Sequence, residues 1–280
     1  MTQPPDLTDR QALARNRARA TEFFLHADAA AEMNERLAEV NRSFTSPAIV
    51  TGFPDFWAKA MPGARVVADD PTLALEPGGH DLIVHALALH WANDPVGQLV
   101  QCRRALRPDG MFLGIMFGGQ TLAELRISLA QAETRVTGGL SPRVLPMGEI
   151  RDLGGLLQRA GFALPVADSA ARLVSYRDTR HLMQDLRAMG EGNALASRLR
   201  TPTRKAVFSE AARIYTAIPS TASLSADGRI HATFEMIFLT GWAPADSQPK
   251  ALRPGSASQR LADALGVAEL GPDPETTGGN

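Results

Sequence analysis

The run from His80 to Gly119, HDLIVHALALHWANDPVGQLVQCRRALRPDGMFLGIMFGG, leaves few choices of fold. Leu82–His85 is nearly all apolar, as a strand covered on both faces must be. A polar turn through Asn93 and Asp94 leads into a helix over Pro95–Leu106. That helix stops at Pro108-Asp109-Gly110, each a turn-forming type. Met111–Phe117 is a second buried strand, ending in Gly118-Gly119. Strand, helix and strand in this order form half of a doubly wound α/β sheet.

The preceding half is short. A strand is expected at Ala48–Thr51, a brief helix at Phe56–Ala60 and another strand at Val66–Ala68, closed by Asp69-Asp70-Pro71. Only 14 residues, positions 52 to 65, separate Thr51 from Val66. A strand–helix–strand unit needs ~30 residues. One strand and one helix are therefore expected to be missing.

Before the sheet, Thr8 and Gln11 have capping-box spacing, so a helix should start near Asp9. A second helix is expected over Ala29–Asn41. Beyond Gly119, helices are expected at Thr121–Val136, Ile150–Ala160, Arg180–Met189 and Pro202–Ala217, with strands at Ala163–Ala167 and Thr233–Trp242. The expected organisation is a helical segment over 1–45, a sheet domain over 46–243 with a helical insertion near 178–218, and a tail over 244–280. That tail is rich in proline, serine and glycine; a short helix Ser258–Leu265 is expected in it, and disorder from Gly271 on.

A net charge of −1 gives no electrostatic support to a nucleic-acid partner and leaves at most peripheral membrane contact. Cys102 is the sole cysteine, which excludes an internal disulfide and fits a reducing compartment. No apolar run reaches the ~18 residues of a membrane span, and the start lacks the apolar core of a secretory signal. A cytoplasmic protein is expected.

Doubly wound sheets take ligands at the carboxyl ends of their strands. His85, His90 and Trp91 surround the carboxyl end of the strongest strand. They either line a substrate cleft and move a proton, or are a hydrogen-bonded histidine and a packing tryptophan. Gly52 follows the first strand, where backbone could approach a ligand closely. Asp69 and Asp70 end the second, as ligand contacts or as a capped turn. Gly118-Gly119 presents amides to an anion or simply lets the chain turn. His26-Ala27-Asp28 has the H-x-D spacing of an iron site but no strand to hold it, so chance explains it better and no metal is expected. No G-x-S-x-G elbow or phosphate-binding P-loop is present.

Several stretches, in order over roughly 190 residues, carry a resemblance: VVADD, HDLIVHALALHWANDP, RRALRPDGMFLGIMFGGQTLAELR, GGLSPRV, RDLGGLLQRAGF, LMQDLRAMGEGNAL and ATFEMIFLTGW. Through them the chain resembles the complex I assembly factor 5 family. That family is a methyltransferase-like branch related to the malonyl-carrier-protein methyltransferases of biotin synthesis. The resemblance implies a Rossmann-like class I methyltransferase fold, here with a shortened N-terminal half and added helices, and S-adenosylmethionine as cofactor. It also implies modification of a protein substrate, by methylation or arginine hydroxylation, with a respiratory complex I subunit as partner. By position, Asp69 matches the acidic strand end before the adenine and Leu89-His90-Trp91 the motif after the fourth strand; cofactor contacts are then Gly52, Asp69, Asp70, Gly118 and Gly119. The family's glycine-rich turn has no full counterpart in Ile49–Asp55. Two alternatives stay open: a protein that kept the fold without the cofactor and acts as an assembly chaperone, and a malonyl-carrier-protein methyltransferase.

Overall fold

The computed structural model describes residues 5–218 and 228–248. Two compact units divide the chain, Met1–Ala245 and Asp246–Asn280. The expected helix Ser258–Leu265 lies outside the described residues.

The first unit is built on a six-stranded sheet ordered β2-β1-β3-β4-β6-β5. Its strands are β1 (Pro47–Thr51), β2 (Arg65–Ala68), β3 (His80–Ala86), β4 (Leu106–Gly118), β5 (Ala163–Tyr176) and β6 (Ile230–Trp242). β2, β1, β3 and β4 run parallel, while β6 lies antiparallel between β4 and β5. From β1 the chain goes outward to β2 and then returns to β3 on the other side. That reversal opens a crevice at the carboxyl ends of β1 and β3. The shortening is real: β2 is the edge strand and pairs directly with β1.

Side chains alternate between two apolar layers, as period-two strands require. Leu82, Val84 and Ala86 of β3 and Met111, Leu113, Ile115 and Phe117 of β4 face one layer. It is covered by α2 (Phe24–Glu39), α3 (Pro54–Ala60), α5 (Ala123–Thr137), α7 (Thr179–Ala188) and α8 (Lys205–Tyr215). Ile83, Phe112 and Met116 face the other, beneath α4 (Pro95–Ala105) and α6 (Ile150–Ala160). Burial on both faces is what makes β3 and β4 read as continuous apolar runs.

The first helix, α1 (Arg10–Arg17), belongs to neither layer. Its Ala12 and Leu13 pack with Trp91, Leu145, Ala194 and Leu195. Asp9, not Thr8, caps it, accepting from the Ala12 amide at 3.0 Å. Thr8 is otherwise engaged: it forms a bridge with Leu195, and its amide donates to Asn93 Oδ1 at 2.7 Å. These ties carry α1 across the carboxyl edge of the sheet.

Other boundaries differ from expectation, β4 among them: it begins at Leu106, so Pro108-Asp109-Gly110 lies within the strand and not before it. α2 begins at Phe24 and absorbs His26-Ala27-Asp28. β5 continues to Tyr176, because an edge strand with partial cover alternates its burial and lacks a sustained apolar run. α5 starts at Ala123, since the Thr121 hydroxyl donates to the Gly118 carbonyl at 2.8 Å and holds a turn. No helix among the described residues is long and apolar enough to cross a membrane.

Candidate active site

Two hollows adjoin the carboxyl edge of the sheet. The first is a cleft of ≈ 620 Å³ lined by Thr51-Gly52-Phe53, Asp69, Asp70, Phe23, Phe56 and the Arg10 and Arg17 side chains of α1. The second is a smaller, mainly apolar cavity of ≈ 180 Å³, lined by Trp91, Phe117, Leu122, Leu125, Phe208, Phe234 and Glu191. Some 3.0 Å from Phe53 Cζ is where a side chain on Gly190 would begin, so the Gly190–Gly192 segment lies against the cleft wall.

Asp69 is the buried centre of the cleft. Arg17 Nη1 stands 2.8 Å from its Oδ1 and Arg10 Nη1 3.1 Å from its Oδ2. Burial by itself would raise the Asp69 carboxyl; the two guanidiniums outweigh it and hold the group below the ordinary carboxylate range. The Arg17 guanidinium also lies over Gly52, where any Cβ would collide with it. Gly52 is thus needed for close approach, and in this structure the approaching group is Arg17. The Asp70 side chain is exposed and meets the outer side of Arg10, at 3.6 Å.

His85 lies outside both hollows. It is fully buried on the α4 face, its Nε2 2.8 Å from Gln98 Oε1. Burial pushes its imidazole down to about 4, so it is neutral at physiological pH. It acts as a support for the cleft rather than a proton donor to a substrate, which corrects the catalytic role expected for it. Trp91, by contrast, lines the cavity, and His90 is buried beside Phe117 and Trp91 without lining it. His90 and Trp91 form a single 3₁₀ turn with Leu89. Trp91 Nε1 donates to Glu191 Oε2 at 2.8 Å, and His90 Nε2 lies 3.5 Å from the same oxygen. Burial would raise Glu191, but His90, Trp91 and the Arg17 charge keep its carboxyl low.

Gly118-Gly119 is not brought to the cleft. The Gly119 amide donates to the Gly148 carbonyl at 2.9 Å, and the Gln120 amide to Glu235 Oε2 at 2.8 Å. With Glu235 supplying the anion internally, these amides are spent, so the expected cofactor contact there is corrected to a turn. His26 is a core residue whose ring accepts from Trp57 Nε1 at 3.1 Å. No cluster of potential metal ligands occurs among the described residues.

Arg10, Arg17, Gln98 and Glu191 were not singled out by sequence reasoning. Arg10 and Arg17 carried one signal: seven apart, they share a helix face. Glu191 carried none, because its approach to Trp91 spans 100 residues.

The cleft and cavity lie in a region with recognised relatives. The family described as Methyltransferase domain matches residues 26–114, from α2 into β4. Over 213 residues the chain is 38% identical to arginine-hydroxylase NDUFAF5, mitochondrial, of Danio rerio, covering 76% of this chain and 65% of that protein. The Homo sapiens protein of the same name is 37% identical over 212 residues, covering 76% of this chain and 60% of that protein. Malonyl-[acyl-carrier protein] O-methyltransferase of Gallionella capsiferriformans is 31% identical over 205 residues, covering 72% of this chain and 66% of that protein. Identity thus favours the first kind of relative over the second. The chain spans less than two thirds of the length of each of the three.

Proposed function

Because this chain belongs to the class I methyltransferase-like family that includes arginine-hydroxylase NDUFAF5, we propose that it is an S-adenosylmethionine-dependent enzyme that modifies a side chain of a protein substrate. The observation that carries the reading is the pairing of two hollows at the switch point of the sheet. One is built around a buried aspartate beside Thr51-Gly52; the other is apolar and closed by Trp91 and Glu191.

The residues fit the cofactor. Asp69 ends the strand beside β1 and offers acceptor oxygens to ribose hydroxyls. Phe23, Phe53 and Phe56 give apolar surface for the adenine. Arg17 Nε and Nη2 and Glu191 Oε1 are buried without hydrogen-bond partners among the described residues, as polar groups awaiting a ligand would be. The cofactor supplies an electrophilic methyl group on its sulfonium. Trp91 and Phe117 exclude water from the acceptor side, and His90 stands behind them beside Glu191.

The relatives' names point to arginine hydroxylation on one branch and methyl transfer to a carrier protein on the other. The residues above serve transfer of a methyl group, whereas hydroxylation would also need an oxidant such as dioxygen and a source of electrons; we therefore assign this chain methyl transfer to a side chain of a respiratory complex I subunit in the cytoplasm. Isothermal titration with S-adenosylhomocysteine tests the reading: micromolar binding that weakens in Asp69→Asn is expected. No binding at millimolar ligand would overturn it in favour of a cofactor-free assembly chaperone. That alternative draws on the engagement of both Asp69 oxygens by arginines.

A further inference from the structure

Two buried charged side chains of opposite sign stand at the wall between cleft and cavity, and each is only half used. Arg17 lines the cleft with its side chain 8% exposed. Its Nη1 is spent on Asp69, while Nε and Nη2 meet no acceptor among the described residues. Glu191 lines the cavity with its side chain 11% exposed. Its Oε2 takes the Trp91 indole N–H, while Oε1 meets no donor among the described residues.

The backbone holds the pair close. Asn16 Nδ2 donates to the Gly192 carbonyl at 2.9 Å, and a Cβ on Gly190 would lie 3.2 Å from Arg17 Cα. The end of α1 therefore rests directly on the segment that carries Glu191. The two charges feel each other, since Arg17 helps to keep the Glu191 carboxyl low. Leaving such groups unpaired costs stability, and beside a hollow they are candidates for holding a ligand.

We propose that Arg17 and Glu191 form a clamp for the amino-acid end of S-adenosylmethionine, Arg17 Nε and Nη2 donating to its carboxylate and Glu191 Oε1 accepting from its ammonium. The inference rests on the cofactor reading above and adds to it the residues that recognise a zwitterion. It also accounts for the degenerate turn after β1. A glycine-rich turn would bring backbone amides to this part of the ligand; here one glycine remains, Gly52, and it admits a guanidinium instead. Side chains from α1 and the Gly190–Gly192 segment take over the work of the missing amides.

Titration of the full chain with two ligands tests the clamp: S-adenosylhomocysteine, and 5′-methylthioadenosine, which shares the nucleoside thioether and lacks the amino-acid end. Wild type should prefer the first. Arg17→Met should weaken S-adenosylhomocysteine about ten- to a hundred-fold more than 5′-methylthioadenosine, since loss of the Asp69 partner acts on both ligands alike, and Glu191→Gln should lower the same ratio to a lesser degree. Glu191→Gln keeps shape and hydrogen-bonding capacity, so it tests the clamp even if Arg17→Met fails to fold. An unchanged ratio of the two affinities in a folded variant would overturn the clamp while sparing the cofactor reading. Binding of neither ligand to wild type would overturn both.

Discussion

Gln98 Oε1 lies 2.8 Å from His85 Nε2, and through this amide the interior of β3 is tied to the acidic turn after β2. The same side chain donates from Nε2 to the carbonyls of Asp69 at 3.3 Å and Asp70 at 3.1 Å. A neutral histidine, a glutamine on α4 and two carbonyls thus fix the backbone from which Asp69 projects. Asp69 owes part of its position to groups that do not line the cleft.

His85 and His26 are both pushed by burial down to about 4. Unfolded, each titrates near 6.5. Between these values the unfolded chain binds more protons, so stability rises with pH across the window. Stability is therefore full above about pH 6.5 and declines as pH falls toward 4, by up to about 3 kcal/mol for each histidine. Urea titrations at pH 7.5 and pH 5 measure the change. A free energy that stays flat over this range, with His85 or His26 replaced or not, would contradict buried neutral rings.

Asp69→Asn should destabilise the fold by about 3 kcal/mol, since it leaves two guanidiniums in a buried site without their carboxylate. The native carboxyl titrates below its unfolded value. Its contribution is thus present above about pH 4 and lost as pH falls through the depressed native value. Acid unfolding of wild type and variant should converge at the lowest pH. Parallel curves that never converge would place the stabilisation elsewhere.

Gly119→Ala should lower stability without weakening S-adenosylhomocysteine binding. Gly119 has φ +51°, and a Cβ there would run into the Glu235 carboxylate. A cost of about 1–3 kcal/mol follows from strain and displaced hydrogen bonds. Thermal unfolding reads the first effect and calorimetric titration the second. Loss of ligand affinity in a folded variant would return Gly118-Gly119 to the cofactor site.

Cys102 should be chemically silent in the native protein. It is fully buried in α4, and burial pushes its thiol up. Labelling with a thiol reagent should proceed only as fast as the protein opens, and at full stoichiometry in denaturant. Rapid labelling of the folded chain would show α4 to be loosely held.

The sheet was legible because its central strands are covered on both faces. β3 and β4 carry unbroken apolar runs, whereas Pro108-Asp109-Gly110, expected as a turn, lies inside β4 with Asp109 at φ +61°. The 14 residues between Thr51 and Val66 likewise set the shortened half, since chain length bounds what can fit. β5 read short because its cover is partial, and Thr8 read as a cap because a four-residue window cannot see Leu195 or Asn93.

The site divides along the same line. Gly52, Asp69 and Trp91 follow strand ends, where local pattern alone predicts a ligand, and each lines one of the two hollows, whereas His90 does not. What those residues do was decided by contacts between distant segments. Arg17 reaches Asp69 across 52 positions, Glu191 reaches Trp91 across 100 and Glu235 reaches Gln120 across 115. Burial and neighbouring charge set whether a polar group binds, supports or is spent. Both exist only once the chain has closed, so composition and periodicity fixed the scaffold and tertiary packing assigned the chemistry.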